Sequence, residues 1–240
     1  MTWFANWFNS PYYHILYQNR DEKEAEFFIK NLSSYLKLKQ GSKIIDIACG
    51  KGRHASFLNT LGFDVVGVDL SPNSIATAKK KENNTLKFAV HDMRDTFQNN
   101  QFDVVTNLFT SFGYFEEDKD EQKAINAMAN NLKEEGLVII DFMNVEKVIS
   151  NLLKSEKKVI DNITFNISRN FKEGYIIKDI TIIDNNLTEK HQEKVKALTL
   201  SNFSSFITNA GLKIIDIFGN YKLEDFNAKT SDRLILICKK

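Results

Sequence analysis

Cysteine and proline are close to absent from this 240-residue chain, with two of each. Two cysteines, Cys49 and Cys238, cannot build the disulfide framework of a small secreted domain, and the chain reads as cytoplasmic. No stretch rich in proline or glycine marks a linker, so any inserted segment is expected to belong to one domain. There is no run of about 18 apolar residues, and the aromatic start, Met1 to Phe8, lacks the basic region and cleavage site of a secretory signal. Neither secretion nor membrane spanning is expected. Charge of one sign is also missing: 32 Lys and Arg against 31 Asp and Glu leave +1. No overall field collects a polyanion, which disfavours a nucleic-acid partner.

What is present is a globular composition, 42% hydrophobic and 26% charged. Its length suits one α/β domain with an insertion. Ala25, Phe28, Ile29, Leu32, Tyr35 and Leu36 recur at steps of three and four, which predicts an amphipathic helix over 22–38. A β-branched run at 43–48 then predicts a buried strand. Helices near 52–61, 72–81 and 118–133 alternate with strands at 64–68, 86–90, 102–106 and 137–141. That alternation implies a parallel sheet with right-handed crossovers. Between 157 and 200 the period changes to two, at 158–167, 175–183 and 190–200, which predicts an antiparallel meander. A helix near 201–210 and strands at 212–218 and 233–238 return to the first design.

The densest motif is the string from Ile44 to His54, an acid inside the first strand followed by a glycine-bearing turn. Small residues let the backbone approach a ligand at the carboxyl end of such a strand. The turn is not a dinucleotide fingerprint: the third glycine is replaced by Ala55, and Asp46 would repel a pyrophosphate. An acid there suits a cationic ligand, since an unpartnered carboxylate in a buried strand is costly. Asp69 closes the second strand, placed to accept hydrogen bonds from ribose hydroxyls, and Asp92 and Met93 follow the third. The fourth strand runs into Asn107-Leu-Phe-Thr-Ser-Phe-Gly-Tyr114.

The series Asp-Ile-Ala-Cys-Gly-Lys-Gly, Val-Asp-Leu-Ser, His-Asp-Met-Arg and Asn-Leu-Phe-Thr-Ser-Phe-Gly-Tyr resembles the class I S-adenosylmethionine-dependent methyltransferases, from about Tyr12 to the C-terminus. A Tyr-Xaa-Xaa-Leu-Tyr segment before the core and an insertion after strand five are similar to small-molecule N-methyltransferases acting on amino sugars and glycine. The resemblance implies a Rossmann-like, seven-stranded, mostly parallel sheet with helices on both faces, an N-terminal helical lid and the antiparallel insertion. One domain is expected over 1–240, with lid helices in 1–40, a cofactor core in 41–145, the insertion in 155–200 and the last helix and strands in 201–240. It implies S-adenosylmethionine as cofactor, held by Asp46, Ala48, Cys49, Gly50 and Gly52 in the loop. Asp69 then belongs to the ribose, with Leu70 and Ser71 also cofactor-binding, Asp92 and Met93 to adenine, and Asn107 and Leu108 to the methionine part. Tyr17 and Arg20 resemble lid positions, Arg20 a candidate for the cofactor's carboxylate. Ala48 and Cys49 depart from the commonest glycine pattern, and Asn107-Leu-Phe-Thr110 is not the Asn-Pro-Pro-Tyr used on exocyclic base amines.

Methyl transfer from a sulfonium is an in-line displacement, so the protein has chiefly to align the partners and exclude water. Groups expected to face the methyl are Tyr12, Tyr13, His14 and Tyr17, then Thr110, Ser111 and Tyr114, then Asp141 and Asn144, with Tyr13 and Tyr114 favoured as catalytic residues. The insertion, with Arg169 and His191, is expected to form the far wall. The histidines show no metal-ligand grouping, so no metal is expected. The acceptor is expected to be a small molecule taking the methyl on nitrogen or oxygen, and the protein to be a monomer or homodimer. The alternatives are an RNA or protein methyltransferase, which needs a basic groove or open cleft, a non-catalytic binder of the same cofactor or its demethylated product, and a nucleotide-dependent oxidoreductase.

Overall fold

The computed structural model describes residues 3–18 and 22–240. Two short helices, α1 (Trp3–Phe8) and α2 (Pro11–Leu16), precede the long α3 (Glu22–Tyr35). Then β1 (Lys43–Ile47), α4 (Arg53–Thr60), β2 (Asp64–Asp69), α5 (Pro72–Ala78), β3 (Leu86–Val90), β4 (Phe102–Asn107), α6 (Asp118–Asn131), β5 (Leu132–Met143) and α7 (Val145–Ser150) alternate, with one 3-10 turn at Lys79–Lys81. The insertion is β6 (Ser155–Ile160), β7 (Ile163–Lys172), β8 (Tyr175–Asp184) and β9 (Leu187–Lys196). The chain ends with α8 (Leu200–Asn209), β10 (Lys213–Phe218) and β11 (Arg233–Lys239).

Seven strands form one sheet in the order β10-β11-β5-β4-β1-β2-β3. Pairs among β1 to β5 are parallel, whereas β11 is antiparallel to both β5 and β10. The expected return to a parallel design therefore fails at the last strand, which enters as a hairpin with β10. Alternation within the strands divides the core between two faces. Ile44, Val65, Val104 and Ile139 pack with α3, α4 and α5 on one side. Ile45, Val105, Ile140 and Phe142 pack with α6 and α8 on the other. Local signals fix the helix starts: Ser71 caps α5 ahead of Pro72, and Thr199 and Asn202 form a capping box on α8.

The insertion is a separate four-stranded antiparallel sheet in the order β6-β7-β8-β9. The stretch 158–167 turns back on itself at Asp161 and Asn162, both at positive φ, so it is a hairpin and not one strand. One face carries Ile163, Phe165, Ile167, Ile180 and Ile182, and these bury Trp7 and Leu16 of α1 and α2. Burying side chains of this size contributes about 1.5–3 kcal/mol each. The N-terminal helices are thus seated on the insertion sheet.

Candidate active site

The chain passes from β3 to the opposite side of β1 to make β4, so the order reverses between β1 and β4. A crevice opens at such a switch, beyond the carboxyl ends of the strands. Here it is a cavity of about 530 Å³. Four strand ends supply its wall: Ala48, Cys49, Gly50 and Lys51 after β1, Asp69 to Ser71 after β2, His91 to Met93 after β3, and Leu108, Phe109, Ser111, Tyr114 and Phe115 after β4. Phe4, Phe8, Tyr13, His14, Tyr17 and Gln18 form the roof, and Arg53 and His54 of α4 complete the floor.

The loop after β1 turns sharply. Ala48 has φ of +61°, Gly50 +57° and Gly52 +75°, and a non-glycine residue in that region costs about 1–3 kcal/mol. Asp69 draws the loop onto β2: one carboxylate oxygen accepts from the Gly50 amide at 2.8 Å, the other from the Ser71 amide at 2.8 Å. Each oxygen keeps a second lone pair, so Asp69 can still accept two hydroxyls of a ligand. Burial pushes its carboxyl above the ordinary range, and the two amides counter this. Nothing stands within 4 Å of where a Cβ of Gly50 would lie, which leaves the backbone open to a ligand.

Asp46, Gly52 and Asn107 support this wall from behind and do not line the cavity. Asp46 is 1% exposed and accepts from the Thr106 hydroxyl at 2.8 Å; burial raises its carboxyl to about 7. Gly52 lets Phe88 pack beneath the loop, because a Cβ there would lie 2.5 Å from the ring. Asn107, fully buried, donates to the Ile47 carbonyl at 3.1 Å and ties β4 to β1. Burial opposes ionisation of Asp92, but Arg94, 2.6 Å away, outweighs it and holds the carboxyl below its usual range.

Tyr13 and Tyr114 meet at the roof through Phe8, whose ring lies 5.0 Å and 5.2 Å from theirs. The Tyr114 phenol donates to the Thr110 carbonyl at 2.5 Å. Tyr17 presents its ring to the cavity while its hydroxyl contacts Glu193 at 2.7 Å and also meets Lys178. Glu193 accepts from Trp7 Nε1 at 2.7 Å as well, so one partly buried carboxylate of the insertion anchors both lid helices. Tyr12 turns away, donating to Asp184 at 3.0 Å. Arg20 lies outside the described residues.

Several expected neighbours of the methyl group are elsewhere. Asp141, 1% exposed, pairs with Arg233 Nε at 2.7 Å, and Asn144 donates to the Ala228 and Ser231 carbonyls at 2.8 Å. Their donors and acceptors are taken up by backbone and by a buried cation, not by the cavity. The insertion lines no part of the cavity among the described residues: Arg169 pairs with Glu156 at 2.6 Å and the His191 ring lies tilted against Trp7, 4.5 Å between ring centres. It shapes the site through the lid it carries and through the loop after β4, where the Lys196 amide donates to the Gly113 carbonyl at 2.8 Å. Residues not anticipated are Phe109, Arg53 and Asn9. The Arg53 guanidinium sits 4.9 Å from the centre of the Phe109 ring, and its place directly after Gly-Lys-Gly was a readable signal. Asn9, between the lid helices, accepts from the Ser71 hydroxyl at 3.0 Å and latches the roof to α5.

The wall fits S-adenosylmethionine. Asp69 would hold the ribose hydroxyls, Met93 and Leu108 offer apolar contact, and the open backbone at Gly50 with Asp46 behind it suits a cationic amino-acid end. Two acids near the loop disfavour a pyrophosphate in the same place.

Comparison with known proteins agrees. Residues 44–136 match a family model described as a methyltransferase domain. A Geobacillus sp. (strain WCH70) chain described only as a candidate methyltransferase is 26% identical over 99% of this chain and 98% of its own. A glycine/sarcosine N-methyltransferase of Parasynechococcus marenigrum (strain WH8102) is 34% identical over 54% of this chain, which spans 46% of that relative. A Streptomyces venezuelae dTDP-3-amino-3,4,6-trideoxy-alpha-D-glucopyranose N,N-dimethyltransferase is 25% identical over 73% of this chain and 77% of its own. Among solved structures, an S-adenosylmethionine-dependent methyltransferase from Clostridium acetobutylicum ATCC 824 superposes with a TM-score of 0.78, at 22% identity over 95% of both chains. With its sheet order and these likenesses, the chain carries a methyltransferase domain over residues 44–136 and has the Rossmann-like fold of S-adenosylmethionine-dependent methyltransferases.

Proposed function

We propose that the chain is a single-domain, cytoplasmic enzyme, monomeric or homodimeric, that transfers the methyl group to a nitrogen or oxygen of a small-molecule acceptor. The observation that carries this reading is the roofed cavity: about 530 Å³ lies within the range of small-molecule sites, and two helices cover it. A polymer substrate needs an open or basic groove, and the near-zero net charge supports none. The nitrogen acceptors in the names of the Parasynechococcus and Streptomyces relatives point the same way. Both cysteines are free and buried, which is consistent with a reducing compartment.

Asp69 would hold S-adenosylmethionine, which when bound would offer an electrophilic methyl to an in-line acceptor lone pair, with S-adenosylhomocysteine as the leaving group. The chain's own part is to exclude water with Phe4, Phe8, Tyr13 and Tyr114, and to aim the acceptor from the roof. The test is a thermal shift with S-adenosylmethionine, S-adenosylhomocysteine and NAD, on the wild type and on Asp69→Ala. A ligand at 100 times its Kd stabilises by about 2.7 kcal/mol, and the two adenosyl ligands should do so in the wild type and far less in the variant. Release of S-adenosylhomocysteine is then screened with glycine, sarcosine and nucleotide-linked amino sugars. A shift with NAD alone, or none, would sink the reading.

A further inference from the structure

The last strand reaches the roof by a route the cavity lining does not reveal. Arg233 opens β11, Asp141 stands near the end of β5, and Tyr221 lies on the connection between β10 and β11. Arg233 Nε donates to Asp141 Oδ1 at 2.7 Å; Asp141 Oδ2 accepts from the Tyr221 hydroxyl at 3.0 Å and from the Phe109 amide at 2.9 Å. The same pair takes hold of Thr110. Its amide donates to the Asp141 carbonyl at 2.9 Å, and its hydroxyl accepts from Arg233 Nη2 at 3.0 Å. Its carbonyl is the acceptor for the Tyr114 phenol. Phe109 and Thr110 both adopt positive φ, +61° and +60°, so a backbone that these residues rarely choose is fixed from three sides.

We propose that Arg233, Asp141 and Tyr221 form a positioning unit that, through Thr110, aims the Tyr114 phenol into the cavity. None of the three lines it. A buried ion pair kept only for stability is commonly replaceable by apolar residues, whereas this one places its charge and hydrogen bonds on a turn bordering the site. Losing the Arg233 fork frees the Thr110 hydroxyl, relaxes the turn and moves the carbonyl that Tyr114 depends on. The inference rests on the methyltransferase reading only for the consequence at the reacting centre.

The test uses the full chain labelled at the ζ-carbon of its seven tyrosines, with the Tyr114 resonance assigned as the one lost in Tyr114→Phe. Arg233→Lys and Tyr221→Phe are both expected to move that resonance, with affinity for S-adenosylhomocysteine retained. With an acceptor in hand, Arg233→Lys should lower kcat about tenfold with KM for S-adenosylmethionine unchanged, and add nothing further in the Tyr114→Phe background. An unmoved Tyr114 resonance in both variants, or additive losses of kcat, would overturn the proposal. So would failure of both variants to fold, since the unit would then be structural alone. Failure of the methyltransferase reading shows separately, as absence of any shift with S-adenosylhomocysteine in the wild type.

Discussion

Along the cofactor wall the contacts are short in sequence: Asp69 reaches the Ser71 amide two residues on and the Gly50 amide 19 residues back. Across the roof they are long, with Trp7 and Tyr17 meeting Glu193 over separations of 186 and 176. The wall is written into contiguous motifs, each loop carrying its own small residue, acid or cap. The roof rests largely on a distant sheet that folds back beneath two short helices.

The sharpest way to break that contrast is Gly52→Ala. The new Cβ would lie 2.5 Å from Phe88 Cζ, and φ is +75°. We expect a loss of roughly 2 kcal/mol or more in urea unfolding, together with weaker binding of S-adenosylhomocysteine. Unchanged affinity would mean the loop tolerates displacement. A smaller effect, and one confined to the roof, is expected of Glu193→Gln. It leaves Lys178, 13% exposed, without its acid at 3.4 Å and weakens the anchor of Trp7 and Tyr17. Stability should fall by about 1–2 kcal/mol, and the tryptophan emission should shift while S-adenosylhomocysteine affinity holds; an equal loss of affinity would erase the distinction between wall and roof.

The smallest effect tests the wall's interior by pH. Burial raises the Asp46 carboxyl to about 7 in the folded chain, against about 3.9 unfolded. The unfolded state therefore sheds its proton first. The stability this group contributes is complete below about pH 4 and is lost as pH rises through about 7. Urea midpoints of wild type and Asp46→Asn should accordingly differ more in favour of the wild type at pH 5 than at pH 8. A difference independent of pH would contradict a buried, protonatable Asp46.

Most strands and the cofactor loop were legible because burial on both faces writes itself as β-branched runs and because a tight turn demands small residues. Less legible was whatever depends on partners far along the chain. Asp141 reads as an acid near the methyl group, yet its oxygens are consumed by Arg233, Tyr221 and Phe109. The clue was Arg233 itself, a cation at the head of the apolar strand Leu-Ile-Leu-Ile-Cys, which needs a buried acid. Likewise Arg169 and His191 alternate correctly for one sheet face, but pattern alone does not say that α1 and α2 occupy that face. The hairpin at Asp161-Asn162 was missed because the alternation runs across it without a glycine.

The lid helices are six residues each, well short of the roughly 12 at which an isolated helix begins to hold in water. Their order is borrowed from the surface on which they rest. Lifting them off Ile163, Phe165 and Ile180 to admit an acceptor is then not a hinge rotation of a rigid cap but a local unfolding event. The rate at which the site opens becomes a property of the stability of the N-terminal segment, and amide exchange at Leu16 and Tyr17 should report it directly.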